Sequence, residues 1–320
     1  MPGINNKGKI VIVNPDYEPV IERKIITEAG YEFVIAQCTN EDEVIAAAQD
    51  ALGIINIYAK ITENVAKKLK YCKIIARAGV GYDMINVKAC RENGIEVCNL
   101  PDYCTEEVAD HTVALLMAVQ RRLFQHHRNI QAGQWVDTLA GPMRRLSIMK
   151  LGIIGFGLIG RRFAFKMKQI TPQIFAYDPF VPDDLFDLAE VQRASLDEVR
   201  YQSDIISLHC PLTPETKHII SADVIRRLNR KPILINVSRG GLIDTPALIA
   251  GLKDGIIDGA GLDVLETEPN VPPELASMPT VILTPHAAWY SLESDYEDRT
   301  RPAEEILRVL RGESPHNPVP

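Results

Sequence analysis

The chain has 320 residues, of which 46% are hydrophobic and 24% charged, with a formal net charge of −7. That length suits two domains, because single cores stop growing near roughly 250–300 residues. The acidic balance argues against a nucleic-acid backbone as partner, and no apolar run approaches the roughly 18–20 residues that span a bilayer.

The opening "MPGINNKGKIVIV" reads as a short tail running into a strand, not as a signal peptide. "KIVIVNP", "YEFVIA", "GIINIY", "KIIARAG" and "IEVCNLP" read as strands, with "EPVIERKIITEAG", "EDEVIAAAQD" and "ENVAKKLKY" as helices between them. Strand–helix alternation implies a parallel sheet covered on both faces. Residues 105 to about 132 predict one long helix stopped by Gly133, followed by an irregular connector. From Lys150 a second α/β series offers six strands: "KLGIIGF", "QIFAYDP", "DIISLHCP", "PILINVS", "DGAGLDV" and "TVILTPH". Asp244 or Thr245 is placed to cap a helix with Pro246 in its first turn, and Ser195 with Glu198 resembles a capping box. The last segment is helical, with Pro302 expected to kink or split it, and is expected to return to the first domain. Cys38, Cys72, Cys90, Cys98, Cys104 and Cys210 show no CxxC spacing. Free thiols in a reducing cytoplasm are therefore expected, and no metal site.

The strongest local signal is "LGIIGFGLIGRRFAFKM", in which Gly155, Gly157 and Gly160 form G-x-G-x-x-G between a strand and a helix. The first glycine permits a tight turn, the second lets a diphosphate approach the backbone, and the third lets helix and strand pack closely. The diphosphate would sit on unpaired N–H groups at the helix N-terminus. Asp178 ends the next strand, 23 residues past Gly155. A carboxylate there can bind both adenosine ribose hydroxyls and would repel a 2′-phosphate. No Arg or Lys follows immediately in "DPFVPDD", so NAD is expected over NADP.

Polar residues follow three later strands: Arg239 in "ILINVSRGGLID", Asp263 and Glu268 in "GAGLDVLETEP", and His286 in "VILTPHAAW". Ligands of open α/β sheets bind at the carboxyl ends of strands, so these residues would share one edge with the glycine loop. Singly, Arg239 fits a surface ion pair, Glu268 a turn and His286 a structural histidine. Jointly they suit hydride transfer between a carbonyl and an alcohol. A guanidinium can hold a substrate carboxylate with a planar fork, an imidazolium can protonate the new alkoxide, and a carboxylate can orient that imidazole.

Over essentially its full length the chain resembles the D-isomer-specific 2-hydroxyacid dehydrogenase family. The motifs that carry this are "GIIGFGLIG", "YDP", "LHCPLTPET", "INVSRGGLID", "GAGLDVLETEP" and "LTPHAA". The resemblance implies an NAD-binding, doubly wound parallel sheet in residues 105–287, inserted in a flavodoxin-like substrate domain of residues 1–104 plus 288–320. It makes Arg239 the substrate-binding arginine, Glu268 the partner of His286, and His286 the acid/base. It places Asp263 against the nicotinamide carboxamide. It adds Val108, Leu158, Ile159, Cys210, Pro211, Thr216, Val237 and Ser238 to the glycines and Asp178 as cofactor-contacting positions. It also implies that Val80 and Gly81 in "RAGVGYD" offer N–H groups to the substrate carboxylate, and that a homodimer forms through residues of about 105–150.

"HAAWYS" and "RAGVGYD" are similar to the C-terminal-binding-protein branch of the family, with Arg77 where that branch has a substrate-facing arginine. Trp289 would wall the substrate or pack the hinge, and Tyr58 would line the pocket or a core. The family's "G-x-E-L-x-G-K" is replaced by "GPMRRLSIMK", with Ile148 and Met149 in place of Gly and Lys. Two other readings stay open: an NAD(H)-sensing, corepressor-like binding protein, and a phosphite-type dehydrogenase. Glu268 argues against a formate enzyme, whose family pattern has Gln there. Glyoxylate, hydroxypyruvate, 3-phosphoglycerate and larger keto acids all fit as substrates.

Overall fold

A computed structural model of the chain describes residues 7–320, so the first six residues of the expected N-terminal tail lie outside the described residues. The chain divides into two compact units, one of residues 1–104 and 291–320, the other of residues 105–290. The return to the first unit thus falls at Ser291, three residues later than the sequence places it.

The first unit holds a parallel sheet of β1 (Lys9–Val13), β2 (Glu32–Ala36), β3 (Ala51–Asn56), β4 (Ile74–Arg77) and β5 (Glu96–Cys98), in the order β2-β1-β3-β4-β5. This is the flavodoxin-like order, whose switch point lies between β1 and β3. Strands such as "IIAR" are buried throughout, because helices cover both faces of a parallel sheet. The C-terminal tail pairs across the β5 edge, where Cys98 bridges Pro318 and the Val319 N–H donates to the Val97 carbonyl at 2.8 Å. That covers an otherwise open ladder. The Leu292–Leu310 helix runs unbroken through Pro302, so the expected kink or split does not take the form of a split. It buries Pro302, Ala303 and Ile306, so packing against the sheet outweighs the lost backbone hydrogen bond.

The second unit holds β6 (Lys150–Ile154), β7 (Gln173–Tyr177), β8 (Gln192–Arg193), β9 (Ile205–Leu208), β10 (Ile233–Asn236), β11 (Gly259–Leu262) and β12 (Val281–Leu283). The order is β12-β11-β10-β9-β6-β7-β8, with every pairing parallel. This is the doubly wound order, and its switch point lies between β6 and β9. The two-residue β8 escaped the sequence reading, because "QR" carries no apolar run. The expected long helix is two, Thr105–Gln120 and Leu123–Gln131. Arg122 stands between them with φ 52, in the left-handed region, and its guanidinium binds Asp258. Both anticipated caps are present: Asp244 accepts from the Ala247 N–H, and Ser195 with Glu198 forms a reciprocal capping box.

Candidate active site

The glycine loop is built by contact as much as by conformation. Gly155 has φ +93, and a Cβ there would lie 2.4 Å from the Cys210 nitrogen, so only glycine lets β6 and β9 end side by side. A Cβ on Gly160 would lie 2.2 Å from the Gly155 carbonyl oxygen, which keeps helix Leu158–Met167 tight on its strand. Gly157 differs: a Cβ there would meet nothing within 4 Å. It opens onto free space at a helix N-terminus, where the first N–H groups have no intrahelical acceptor. That is the space and polarity a diphosphate requires, so these residues fit the dinucleotide that the motif implies. Leu158 is exposed and Ile159 half-buried beside it.

Asp178 closes the same loop. Its Oδ2 accepts from the Phe156 N–H at 2.8 Å, and its Oδ1 from the Phe180 and Val181 N–H groups at 2.9 and 3.2 Å. Carboxylate oxygens take about four bonds together, so Oδ2 keeps acceptor capacity for a ribose hydroxyl. Cys210 is buried, and burial pushes its thiol up to about 12, so it serves as a small hydrophobe. Its carbonyl accepts from the Ser238 hydroxyl at 2.6 Å. The Thr216 hydroxyl donates to the Pro211 carbonyl at 2.7 Å and so shapes the turn after β9. Val237 and Val108 are buried, the latter on the Thr105–Gln120 helix.

Three strand ends converge next. Asn236, buried at the end of β10, donates from Nδ2 to the Arg239 carbonyl at 2.8 Å and accepts from the Ser238 N–H at 3.1 Å. This side-chain-closed turn presents Arg239. Gly240 follows because a Cβ would lie 1.9 Å from the Leu265 carbonyl carbon. Glu268 Oε1 accepts from the Leu265 N–H at 2.9 Å, and Oε2 lies 2.8 Å from His286 Nδ1. A carboxylate can only accept, so Nδ1 is the donor and Nε2 is left for another partner. Burial works to raise the Glu268 carboxyl. It is outweighed by the His286 hydrogen bond and charge, the Leu265 N–H and the Arg239 charge, so the group lies below the usual carboxylate range. Arg239, Glu268 and His286 are therefore brought together.

His286 has φ 55, a strained value for a non-glycine residue. Asp263 over-determines it. The Asp263 side chain is fully buried and accepts from the Thr284 hydroxyl at 2.6 Å and from the Ala287 and Ala288 N–H groups at 2.9 Å each. Its carbonyl accepts from the His286 N–H at 2.8 Å. The Thr284 hydroxyl proton is committed to Asp263, so His111 Nε2, 2.9 Å away, is the donor to the Thr284 oxygen. In this structure Asp263 holds the histidine loop, a role that the sequence did not suggest. Thr284 lies inside the "LTPHAA" motif but was given no role there, and His111 carries no motif signal. Trp289 stands edge-on to Tyr290, with ring centroids 5.5 Å apart.

In the first unit, Asn56 closes a turn on Ala59, with bonds of 3.0 and 3.1 Å, and leaves Tyr58 exposed at its tip. After β4, three successive carbonyls are tied back. Gly79 accepts from the Leu100 N–H at 3.1 Å, Val80 from Asn99 Nδ2 at 2.6 Å, and Gly81 from Arg77 Nε at 2.8 Å. Fixed backbone of this kind is a setting in which successive N–H groups can form an anion-binding concavity. Arg77 is the arginine expected to face substrate. Its guanidinium is buried, within 2.6 Å of where a Gly79 Cβ would lie, so it packs against this loop. The charge of the half-buried Asp298 acts on it.

All six cysteines are free thiols, and among the described residues no His/Cys/Asp/Glu cluster could hold a metal. No helix among them is long and apolar enough to cross a membrane.

Residues 113–288 match the family model described as "D-isomer specific 2-hydroxyacid dehydrogenase, NAD binding domain". The chain is 36% identical over 313 residues to D-3-phosphoglycerate dehydrogenase of Methanocaldococcus jannaschii, covering 97% of this chain and 59% of that protein. It thus spans little more than half of that relative's length. It is 38% identical over 283 residues to glyoxylate reductase of Korarchaeum cryptofilum, covering 86% of this chain and 85% of that one. The solved D-lactate dehydrogenase of Aquifex aeolicus, complexed with NAD and lactic acid, superposes with a TM-score of 0.85 at 29% identity, covering 95% and 96% of the two chains. The doubly wound sheet, its glycine loop and these likenesses lead to one conclusion: the chain belongs to the D-isomer-specific 2-hydroxyacid dehydrogenase family.

Proposed function

We propose that this protein interconverts a D-2-hydroxy acid and its 2-keto acid with NAD(H). The observation that carries the reading is the spending of His286 Nδ1 on Glu268, which leaves Nε2 for substrate beside Arg239. Bound NADH supplies the hydride. Arg239 holds the substrate carboxylate and polarises the carbonyl. His286 Nε2 delivers the proton to the new alkoxide and takes it back in the reverse direction. Glu268 fixes the imidazole orientation and balances its charge. The Val80 and Gly81 N–H groups receive the carboxylate, with Arg77 acting from beneath as a positioning residue. Tyr58 and Trp289 bound the substrate side chain. Asp178 takes the ribose hydroxyls, the N–H groups of Gly157, Leu158 and Ile159 take the diphosphate, and Val108, Pro211, Thr216, Val237, Ser238 and Asp263 border the nicotinamide half.

The motifs "HAAW" and "RAGVGYD" favour the C-terminal-binding-protein-like branch within the family. A second copy of the chain is the proposed cover for the exposed Phe124, Ile130, Trp135, Val136 and Ile148, which cluster in the 105–150 stretch. The free thiols suit a reducing cytoplasm.

The test is loss of NADH absorbance with a panel of 2-keto acids, with gain of NADH absorbance from NAD+ and phosphite as the separate control. Turnover of one acid, abolished by His286→Ala, supports the reading. A flat panel with NADH bound and a cofactor-dependent change of oligomer would instead favour the sensing role.

A further inference from the structure

The residues after Asp178 in sequence carry no cation, but the next strand supplies one in space. β7 and β8 run side by side, with Ala176 in register with Arg193. Arg193 Nη2 donates to the Asp178 carbonyl at 3.0 Å. Its Nη1 pairs with the Asp183 carboxylate, and its guanidinium carbon stands 5.1 Å from the centroid of the Phe186 ring. The Arg193 side chain is 40% exposed, so part of the guanidinium is open to a ligand.

We propose that Arg193 is a specificity-determining residue at the adenosine end of the cofactor: a guanidinium able to take a 2′-phosphate, occupied by Asp183 while Asp178 favours the unphosphorylated ribose. The proposal rests on the reading that the Asp178 turn faces that ribose. A guanidinium is planar, weakly hydrated and suited to phosphate oxygens. Its backbone bond fixes it at the Asp178 turn, and the aromatic ring beneath it limits its motion. Around this one cation stand the Asp178 and Asp183 carboxylates. The balance is negative, which repels a 2′-phosphate and selects NAD. Removing one carboxylate makes the balance neutral and frees Nη1 for a new acceptor.

The experiment is calorimetric titration of the purified full chain with NADH, NADPH and adenosine 2′,5′-bisphosphate. Asp183→Asn is expected to tighten NADPH and the bisphosphate roughly three- to fivefold, the scale of an exposed ion pair, with NADH nearly unchanged. Adding Arg193→Gln to Asp183→Asn is expected to remove that gain. Asp178→Asn is expected to weaken NADH. No gain in Asp183→Asn, or a gain that survives Arg193→Gln, overturns the role of Arg193 while weakened NADH in Asp178→Asn keeps the ribose reading. Unchanged NADH binding in Asp178→Asn overturns both.

Discussion

Two glutamates two residues apart on one loop, Glu266 and Glu268, each pair with a histidine, and the two pairs are not equivalent. His286 Nδ1 bonds Glu268 at 2.8 Å, whereas His218 Nε2 bonds Glu266 at 2.6 Å. Both histidines have a positive φ, 55 and 51. Both pairs are part-exposed, and both glutamates lie below the usual carboxylate range, where burial is outweighed by the histidine hydrogen bond. The difference is the nitrogen that is spent. His286 spends the nitrogen nearer its own backbone on Glu268, which leaves the distal one for the proposed proton transfer. His218 spends the distal one. Its N–H donates to the Gly241 carbonyl, and the second oxygen of Glu266 accepts from the Thr245 N–H at 3.4 Å. That pair ties three segments together. The same two residue types thus make the proposed acid/base in one place and a clasp in the other.

The sharpest way to break this comparison is to remove each histidine. His286→Ala is expected to lower kcat for keto-acid reduction by about 10³-fold, within the span of general acid–base catalysis. A variant with near-normal steady-state rate would sink the proton-donor role. Glu268→Gln keeps size and an acceptor but loses charge, so a smaller fall is expected, on the order of 10- to 100-fold in kcat. Gly240→Ala probes both pairs at once, because its Cβ would press on Leu265 and Glu266. Urea melts should show a loss of about 1–3 kcal/mol, the usual cost of overpacking. His218→Gln should cost at most about 1 kcal/mol, since the pair is part-exposed and screened, and should leave kcat within about threefold. A 10²-fold loss of rate there would erase the distinction.

The pH dependence sharpens the same contrast. Both glutamates have a depressed folded-state pKa, so their stabilisation is present above the unfolded carboxylate value and is lost as pH falls through the folded one. The stability deficit of His218→Gln relative to the unsubstituted chain is therefore expected to shrink below the ordinary glutamate value of 4.5. Urea midpoints between neutral pH and about pH 3 measure it. A constant gap would mean that the pair contributes through packing alone.

Much of the frame was legible because it is written in periodicity and glycine spacing. Apolar runs such as "KIIARAG" and "PILINVS" announce buried parallel strands, and the glycine loop announces the switch point of the second sheet. Three features were not legible. β8 has two residues and no apolar signal. The break at Arg122 follows from an ion pair with Asp258, far along the chain. Pro302 looked like a breaker, yet burial against the first sheet keeps its helix whole.

By itself the sequence determined which chemical groups end which strands: a guanidinium after β10, carboxylates after β11 and an imidazole after β12. Parallel pairing follows from the alternation of strands and helices, and it brings those groups to one sheet edge. Only the tertiary structure decided that His218 meets Glu266, which ring nitrogen each histidine spends, and that Asp263 faces inward to hold a strained loop. It also turned Arg77 beneath the loop it follows, and brought Arg193 to Asp178 from a neighbouring strand. The physical reason is range. Propensity and periodicity act within a few residues, whereas hydrogen bonds and ion pairs are chosen by distances that exist only after the strands have paired.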